Sequence, residues 1–285
     1  MLALVLAFAA SLSYGVGDFI AGFEARRTSL WTVLLFTQVT GLLLMVLIVA
    51  LRGEPFPPGV LAPGLAAGLL MALFAAAYYK ALAVGVMGII APIVSLSVAV
   101  PVIVGFAGGE RPSALQLAGI AAAVAGVVLA SREKTVGDGV GADRGAVRSS
   151  QAGIGLALLA ATAYGVAMVL YAHGAKADPY WNITLSRATS AGVFVAAVAV
   201  VRPTLRVTRR SVTPLMISGA LAVCAFTLFS VASTFAYLSI VSVLGSIYPV
   251  FIALLAYVVL HERLTRAQLV GVAAALTGVA LIAAG

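Results

Sequence analysis

Along the chain, long apolar runs alternate with short breaks where charge, proline or glycine collects. A helix needs roughly 20 mostly apolar residues, at 1.5 Å each, to cross about 30 Å of hydrocarbon. Cutting at the breaks predicts ten such helices, at 2–23, 29–51, 60–80, 84–106, 114–131, 151–173, 180–201, 213–236, 238–260 and 267–284. No segment alternates apolar and polar residues as a membrane barrel does, and backbone groups in lipid must be satisfied internally. The expected fold class is therefore all-α integral membrane, with ten transmembrane helices. The first run, Leu2 to Phe23, lacks a basic start and is too long for the core of a cleavable signal, so it is expected to remain as a helix.

The polar punctuation repeats. With the second half shifted back by 152 residues, Glu110-Arg111 falls on Glu262-Arg263, Gln116-Leu117 on Gln268-Leu269, Gly119 on Gly271 and Gly126-Val127 on Gly278-Val279. From Glu110 to Leu129, 11 of 20 positions are identical without a gap. A shift of 150 aligns Tyr14-Gly15-Val16 with Tyr164-Gly165-Val166 and Trp31 with Trp181. Alanines could coincide by chance in two apolar helices, but polar and aromatic markers in register could not. The sequence predicts a first five-helix repeat at 1–131, a polar linker at 132–150 and a second repeat at 151–285. The linker is Gly-rich and charged, as flexible connectors are. An odd number of helices per repeat makes the second cross in the opposite sense. Inverted repeats of this kind recur in secondary transporters, where exchanging the conformations of the halves opens the protein to either side.

Composition narrows the class further. Of 285 residues 63% are hydrophobic and only 9% charged, against roughly 25% in soluble domains, so most of the outside must face lipid. The net charge of +8 is scattered over short loops, which fits a membrane topology bias and not a nucleic-acid surface; no nucleic-acid partner is expected. One basic loop, Arg202 to Arg210, fits contact with anionic headgroups. The lone cysteine, Cys224, excludes an internal disulfide and any multi-cysteine metal site. The two histidines stand alone in different halves, and no hydrolase, metalloprotease or phosphate-loop motif occurs, so no enzyme activity, metal or cofactor is expected.

Together the five-plus-five helices, the Tyr-Gly pair in the first helix of each half, and Glu-Arg-x-[Ser/Thr]-x-x-Gln-Leu-x-Gly before each last helix resemble the drug/metabolite transporter superfamily. The EamA branch is the nearer likeness. Tyr248-Pro249, thirteen residues before Glu262, is similar to the family's Pro-to-Glu spacing; in the first half Ser97 stands at that position, flanked by Pro92 and Pro101. The family's usual Trp-Gly is Tyr-Gly here. The resemblance implies transport of amino acids, sugars, nucleotide-linked metabolites or drugs.

Candidate site residues follow from the cost of polarity at depth. Arg187 lies roughly eight residues into its helix, where a guanidinium needs a cavity, a ligand or a partner. Its repeat counterpart is Thr37, beside Gln38. Asp18 lies about five residues from its helix end, faces Met168 in the repeat alignment, and is the candidate for coupling. Lys80 ends its helix and is expected to snorkel. Tyr79, Ser97, Thr234, Tyr237 and Tyr248 gather in and around the fourth and ninth helices, beside prolines that free backbone carbonyls. With Arg187 and Gln38 they form the expected substrate-binding set. Glu110 and Glu262 precede Ser113-x-x-Gln116 and Thr265-x-x-Gln268, two capping-box patterns, and are expected to be structural residues at the membrane interface. Gly119 with Gly126, and Gly271 with Gly278, lie seven apart and predict close-packing stripes.

The expectation is a secondary transporter in the cytoplasmic membrane, moving a small anionic or zwitterionic metabolite by alternating access from a site between the repeats. Its partners would be that solute and the lipid bilayer, as a monomer or homodimer. A membrane-embedded enzyme, a lipid flippase and a non-transporting scaffold are the rivals. Orientation divides the indications. The family's usual orientation has both termini in the cytoplasm. Yet the loops joining helices 1–2, 3–4, 5–6, 7–8 and 9–10 hold thirteen basic residues and the opposite loops hold Arg52, Arg111 and Lys176. Basic residues near helix ends collect on the cytoplasmic side, which places the linker inside and both termini outside.

Overall fold

The computed structural model describes residues 1–25, 27–84, 93–130, 144–205, 207–259 and 265–284, without the side chains at 79, 82–84, 130, 144–152, 249, 253, 256 and 283. The described chain is helical: α1 (Leu2–Ala25), α2 (Leu30–Arg52), α3 (Leu61–Val84), α4 (Ile93–Ala107), α5 (Ala114–Ala130), α6 (Arg144–Ala175), α7 (Pro179–Val201), α8 (Arg209–Ala232), α9 (Leu238–Val259) and α10 (Arg266–Ala284). Among the described residues, seven helices are long and apolar enough to cross a membrane. Shorter apolar helices at Ile93–Ala107, Ala114–Leu129 and Arg266–Ile282 complete a set of about ten. Leu43, Val46, Leu47 and Leu51 on α2, and Leu65, Leu69 and Leu73 on α3, are exposed, as a lipid-facing surface requires.

Local chemistry sets many of the ends. Ser29 caps α2 by accepting from Thr32 N–H at 3.3 Å. Gly53 closes that helix at φ 64°, a left-handed conformation that glycine adopts without steric cost. Asp178 caps α7 by accepting from Trp181 N–H at 2.7 Å, with Pro179 in the first turn. Both capping boxes form. Gln116 N–H donates to Ser113 Oγ at 3.1 Å and Ser113 N–H to Gln116 Oε1 at 2.9 Å; the matching bonds between Thr265 and Gln268 are 3.2 and 2.8 Å.

Several boundaries differ from the expected ones. Helix α3 runs on to Val84, so Lys80 lies inside it and does not end it. Helix α8 ends at Ala232, four residues before 236. Helix α8 begins at Arg209, four residues before 213, with Pro214 inside it. A first-turn proline would have put the start later, but losing the one hydrogen bond that Pro214 N–H would have made does not stop the helix. Helix α6 begins at Arg144, so residues 144–150 of the expected linker are helical. Helix α9 is broken: one segment runs Leu238–Gly245, the next Tyr248–Val259. There Val250 N–H reaches back three residues to Ile247 C=O at 2.8 Å. Pro249 falls in the first turn of the second segment, where its missing N–H costs least.

The chain packs into two compact units, each drawing on both sequence halves. One comprises Met1–Ala72 with Ala167–Ala236, the other Leu73–Val166 with Tyr237–Gly285. In the first, α1 lies along α8, α2 lies between α8 and α7, and the start of α3 touches α7. Small residues permit the close approach: a Cβ on Gly219 would stand 2.8 Å from Thr37 C=O, and one on Gly68 2.6 Å from Ser186 C=O. In the second unit, α5 and α10 pack along most of their length. A Cβ on Gly119 would stand 2.8 Å from Gly278 C=O, and one on Gly126 2.7 Å from Gly271 C=O. These are the four stripe glycines. Residue 119 at the start of α5 meets 278 toward the end of α10, so the two repeat counterparts run antiparallel, as inverted repeats require.

An aromatic pair repeats the same symmetry. Tyr14 meets Phe226 edge to face with ring centroids 5.5 Å apart in the first unit. Tyr164, the counterpart of Tyr14, meets Phe74 at 4.9 Å in the second, and Phe74 is Phe226 shifted back by 152.

Candidate functional site

The most unusual chemistry lies in the first unit, where α2 and α7 run antiparallel. Arg52 at the end of α2 pairs with Asp178 at the start of α7, Nη1 to Oδ2 at 2.9 Å, and stacks over the Tyr180 ring at 4.1 Å. Arg187 is eight residues, about 12 Å, into α7, and Gln38 is equally far into α2. Because the helices are antiparallel, the two side chains approach the centre of the span from opposite sides. Arg187 Nη1 donates to Gln38 Oε1 at 2.6 Å. Both residues are buried, Arg187 at 6% exposure and Gln38 at 8%.

An aromatic cluster lies on one side of the guanidinium. Its Cζ lies 5.1 Å from the centroid of Phe226, whose ring touches Tyr14 from α1 and Tyr171 from α6. Tyr171 is itself held to Ser186 by an Oη–Oγ hydrogen bond of 2.7 Å. Gly41 lies against the arginine: a Cβ there would stand 3.6 Å from Cδ and Cζ, in ordinary contact, and 3.0 Å from Val223 Cγ2. The residues come from both repeats, Tyr14, Gln38 and Gly41 from the first and Tyr171, Arg187 and Phe226 from the second.

Arg187 is under-partnered. A guanidinium carries five N–H donors, yet Nε and Nη2 are buried with no hydrogen-bond partner. Among the described residues no carboxylate lies within ion-pair distance of it; the ion pair seen in this unit is Arg52–Asp178. An arginine at the centre of a spanning helix costs about 2.5–3.5 kcal/mol on insertion. One hydrogen bond to a charged group and one cation–π contact offset roughly that much, but leave two donors buried and unmatched.

The other expected site residues fall elsewhere. Asp18 is exposed on α1, one turn beyond Tyr14 on the same face, with no hydrogen bond or ion pair among the described residues. Thr234 lies on the turn after α8, its hydroxyl bonded to Val231 C=O at 2.7 Å, eight residues or about 12 Å beyond Phe226. Tyr237, 44% exposed, precedes α9 in the second unit.

Ser97 and Tyr248 stand at helix breaks in the second unit. Ser97 is buried within a 3₁₀ turn, Leu96–Val98, at the position matching the break in α9. Pro101 lacks the N–H that would bond Ser97 C=O, and Gly165 packs against that carbonyl, with a built Cβ only 2.5 Å away. Tyr79's side chain, Glu262 and Pro92 lie outside the described residues. Glu110 reaches across the fold to α9, accepting from Leu238 N–H at 2.5 Å and Ser239 N–H at 3.0 Å. It caps the helix whose break carries Tyr248. Ser239 and Ser242, on that first segment of α9, are buried with their hydroxyls unpartnered.

The sequence alone marks Arg187 and Gln38 as candidates, and the structure joins them by a hydrogen bond, but the sequence does not mark the rings beside them. Tyr14 served only as a repeat marker. Tyr171, seven residues after Tyr164 on one face of α6, was the available signal, and Phe226 gave none in a helix rich in apolar residues.

Comparison with known proteins agrees with this architecture. A solved structure titled only as the crystal structure of a protein superposes with a TM-score of 0.77 at 18% identity, covering 98% of this chain and 95% of that one. At that identity the likeness concerns the fold. No curated protein matches the sequence. The family model described as the EamA-like transporter family matches residues 1–132 and again 151–284, almost the whole chain in two copies. The chain belongs to the EamA-like transporter family of multi-pass membrane proteins.

Proposed function

We propose that the protein is a secondary transporter of the cytoplasmic membrane that moves a small anionic or zwitterionic metabolite by alternating access. The observation that carries this reading is Arg187: a buried cation at mid-span, held by Gln38 from the other repeat, with two donors unmatched. A purely structural arginine would be expected to have its charge answered by a carboxylate, because removing water from an unpaired charge is costly. A group with spare donors is suited to an anion that comes and goes.

Residues of both repeats meet at this arginine within one compact unit, as expected of a binding site built on inverted repeats. Within the second unit, the breaks in α4 and α9, at Ser97 and Tyr248, expose polar backbone of the kind that broken helices bring to solute sites. Asp18 stays the candidate for coupling, as an unpaired carboxylate within a spanning helix.

Alternating access is tested by accessibility. Gln38→Cys in a Cys224→Ser background should react with a membrane-impermeant maleimide in both right-side-out and inverted vesicles. Reaction from one side only, under all solute conditions, would contradict it.

A further inference from the structure

Arg187 offers a shape as well as a charge. With Nη1 engaged by Gln38, the free donors are Nε and Nη2. These two lie on one edge of the planar group, and their N–H bonds point the same way in one plane. That geometry matches the two oxygens of a carboxylate, which accept a parallel pair of hydrogen bonds from such an edge. Phe226 covers the guanidinium face, so a ligand meets the edge and not the face.

Charge balance narrows the anion. The other described basic residues of this unit are Arg27, Arg52, His173, Lys176, Arg202, Arg209 and Arg210, and all lie at helix ends or in loops. One central positive charge neutralises one negative charge. A phosphate carrying nearly two would be left under-compensated beside the aromatic cluster of Phe226, Tyr14 and Tyr171. Resting on the transport reading above, we infer that the transported solute is a monocarboxylate that docks side-on to Nε and Nη2 of Arg187 while Gln38 holds the opposite edge. Gln38 thus selects the orientation of the fork and does not itself bind the solute.

The test uses purified protein in neutral detergent without added anionic lipid, so that a soluble carboxylate and a lipid headgroup are not confused. Thermal unfolding is followed with α-amino acids, 2-oxo acids and short monocarboxylates as probes, each beside its primary amide, and with inorganic phosphate. At least one carboxylate should raise the midpoint while its amide and phosphate do not. Arg187→Lys keeps the charge but not the fork and should weaken that carboxylate about tenfold or more, the equivalent of one charge-assisted hydrogen bond. Gln38→Glu, which sets a carboxylate against the same guanidinium, should also weaken it. An amide as effective as its acid, equal binding by Arg187→Lys, or no response to any carboxylate would overturn the inference. If Arg187→Lys does not fold, the acid–amide comparison on the native protein decides alone. Flux of the same probes into proteoliposomes separates the two readings: transport of amides or other neutral solutes defeats the carboxylate fork and leaves transport standing, whereas no flux of any probe counts against both.

Discussion

Gly119 faces Gly278 so closely that a Cβ on the first would stand 2.8 Å from the carbonyl oxygen of the second. The pair Gly126 and Gly271 repeats the contact with the roles of the two helices exchanged, because 119 and 271, like 126 and 278, are repeat counterparts. Two helices that meet reciprocally in this way are related by a local two-fold axis across their length. Lipid provides no hydrophobic drive for helix association, so backbone approach of this kind is a main source of cohesion.

This packing makes a stability prediction. Gly126→Ala would place a Cβ 2.3 Å from the backbone nitrogen of Ala275, which can yield only if the helices separate. Overpacking of this kind costs about 1–3 kcal/mol, so the unfolding midpoint should fall by several degrees. Gly155→Ala, with nothing within 4 Å of the added Cβ, should leave the midpoint unchanged or slightly higher. Equal effects of the two substitutions in a thermal melt would refute the packing argument.

Glu110 should matter through α9. Its carboxylate receives two backbone N–H groups, those of Leu238 and Ser239. Glu110→Ala removes both acceptors and should cost about 1–2 kcal/mol, the range of a lost helix cap. Glu110→Gln keeps one oxygen acceptor and should cost less. Chemical denaturation of the two variants checks the order, and a more harmful glutamine would show that the capping role is wrong.

The two aromatic pairs should differ in function although they are repeat counterparts. Phe226 lies beneath Arg187, whereas Phe74 belongs to the symmetry-related pair, and the repeat counterpart of Arg187 is the uncharged Thr37. Phe226→Leu removes a desolvated cation–π contact worth about 0.5–2 kcal/mol and should weaken solute binding between twofold and thirtyfold. Phe74→Leu should leave solute affinity unchanged while lowering stability. Titration of solute-induced stabilisation on both variants decides this.

Orientation rests on charge. With thirteen basic residues in or beside the connections of one set and three in or beside those of the other, the linker is expected in the cytoplasm and both termini outside. A reporter active only outside the cytoplasm should be silent when inserted near Gly139 and active when fused after Gly285. The reverse pattern would restore the orientation that the family likeness implies.

Features that depend on neighbours along the chain were legible in the sequence. The capping boxes at Ser113 and Thr265 span three residues, and the glycine stripes follow from a seven-residue interval on one helix face. Features that depend on which helices meet were not. Gln38 and Arg187 are 149 residues apart, and their contact required the pairing of α2 with α7. Glu110 read as a residue of its own turn because its helix partner lies 128 residues away. The break at Ser97 was obscured because no proline occupies that position; Pro101, four residues on, removes the hydrogen bond instead.

The central claim is that a solute crosses the membrane by way of Arg187. Its most direct test is uptake of the labelled carboxylate panel into proteoliposomes containing the native protein or Arg187→Gln, matched for reconstituted amount and melting behaviour. The native protein should show saturable uptake and the variant a loss of about tenfold or more, as expected when a charge-assisted hydrogen bond worth roughly 1.5–3 kcal/mol is removed. Equal uptake by both proteins would contradict the claim.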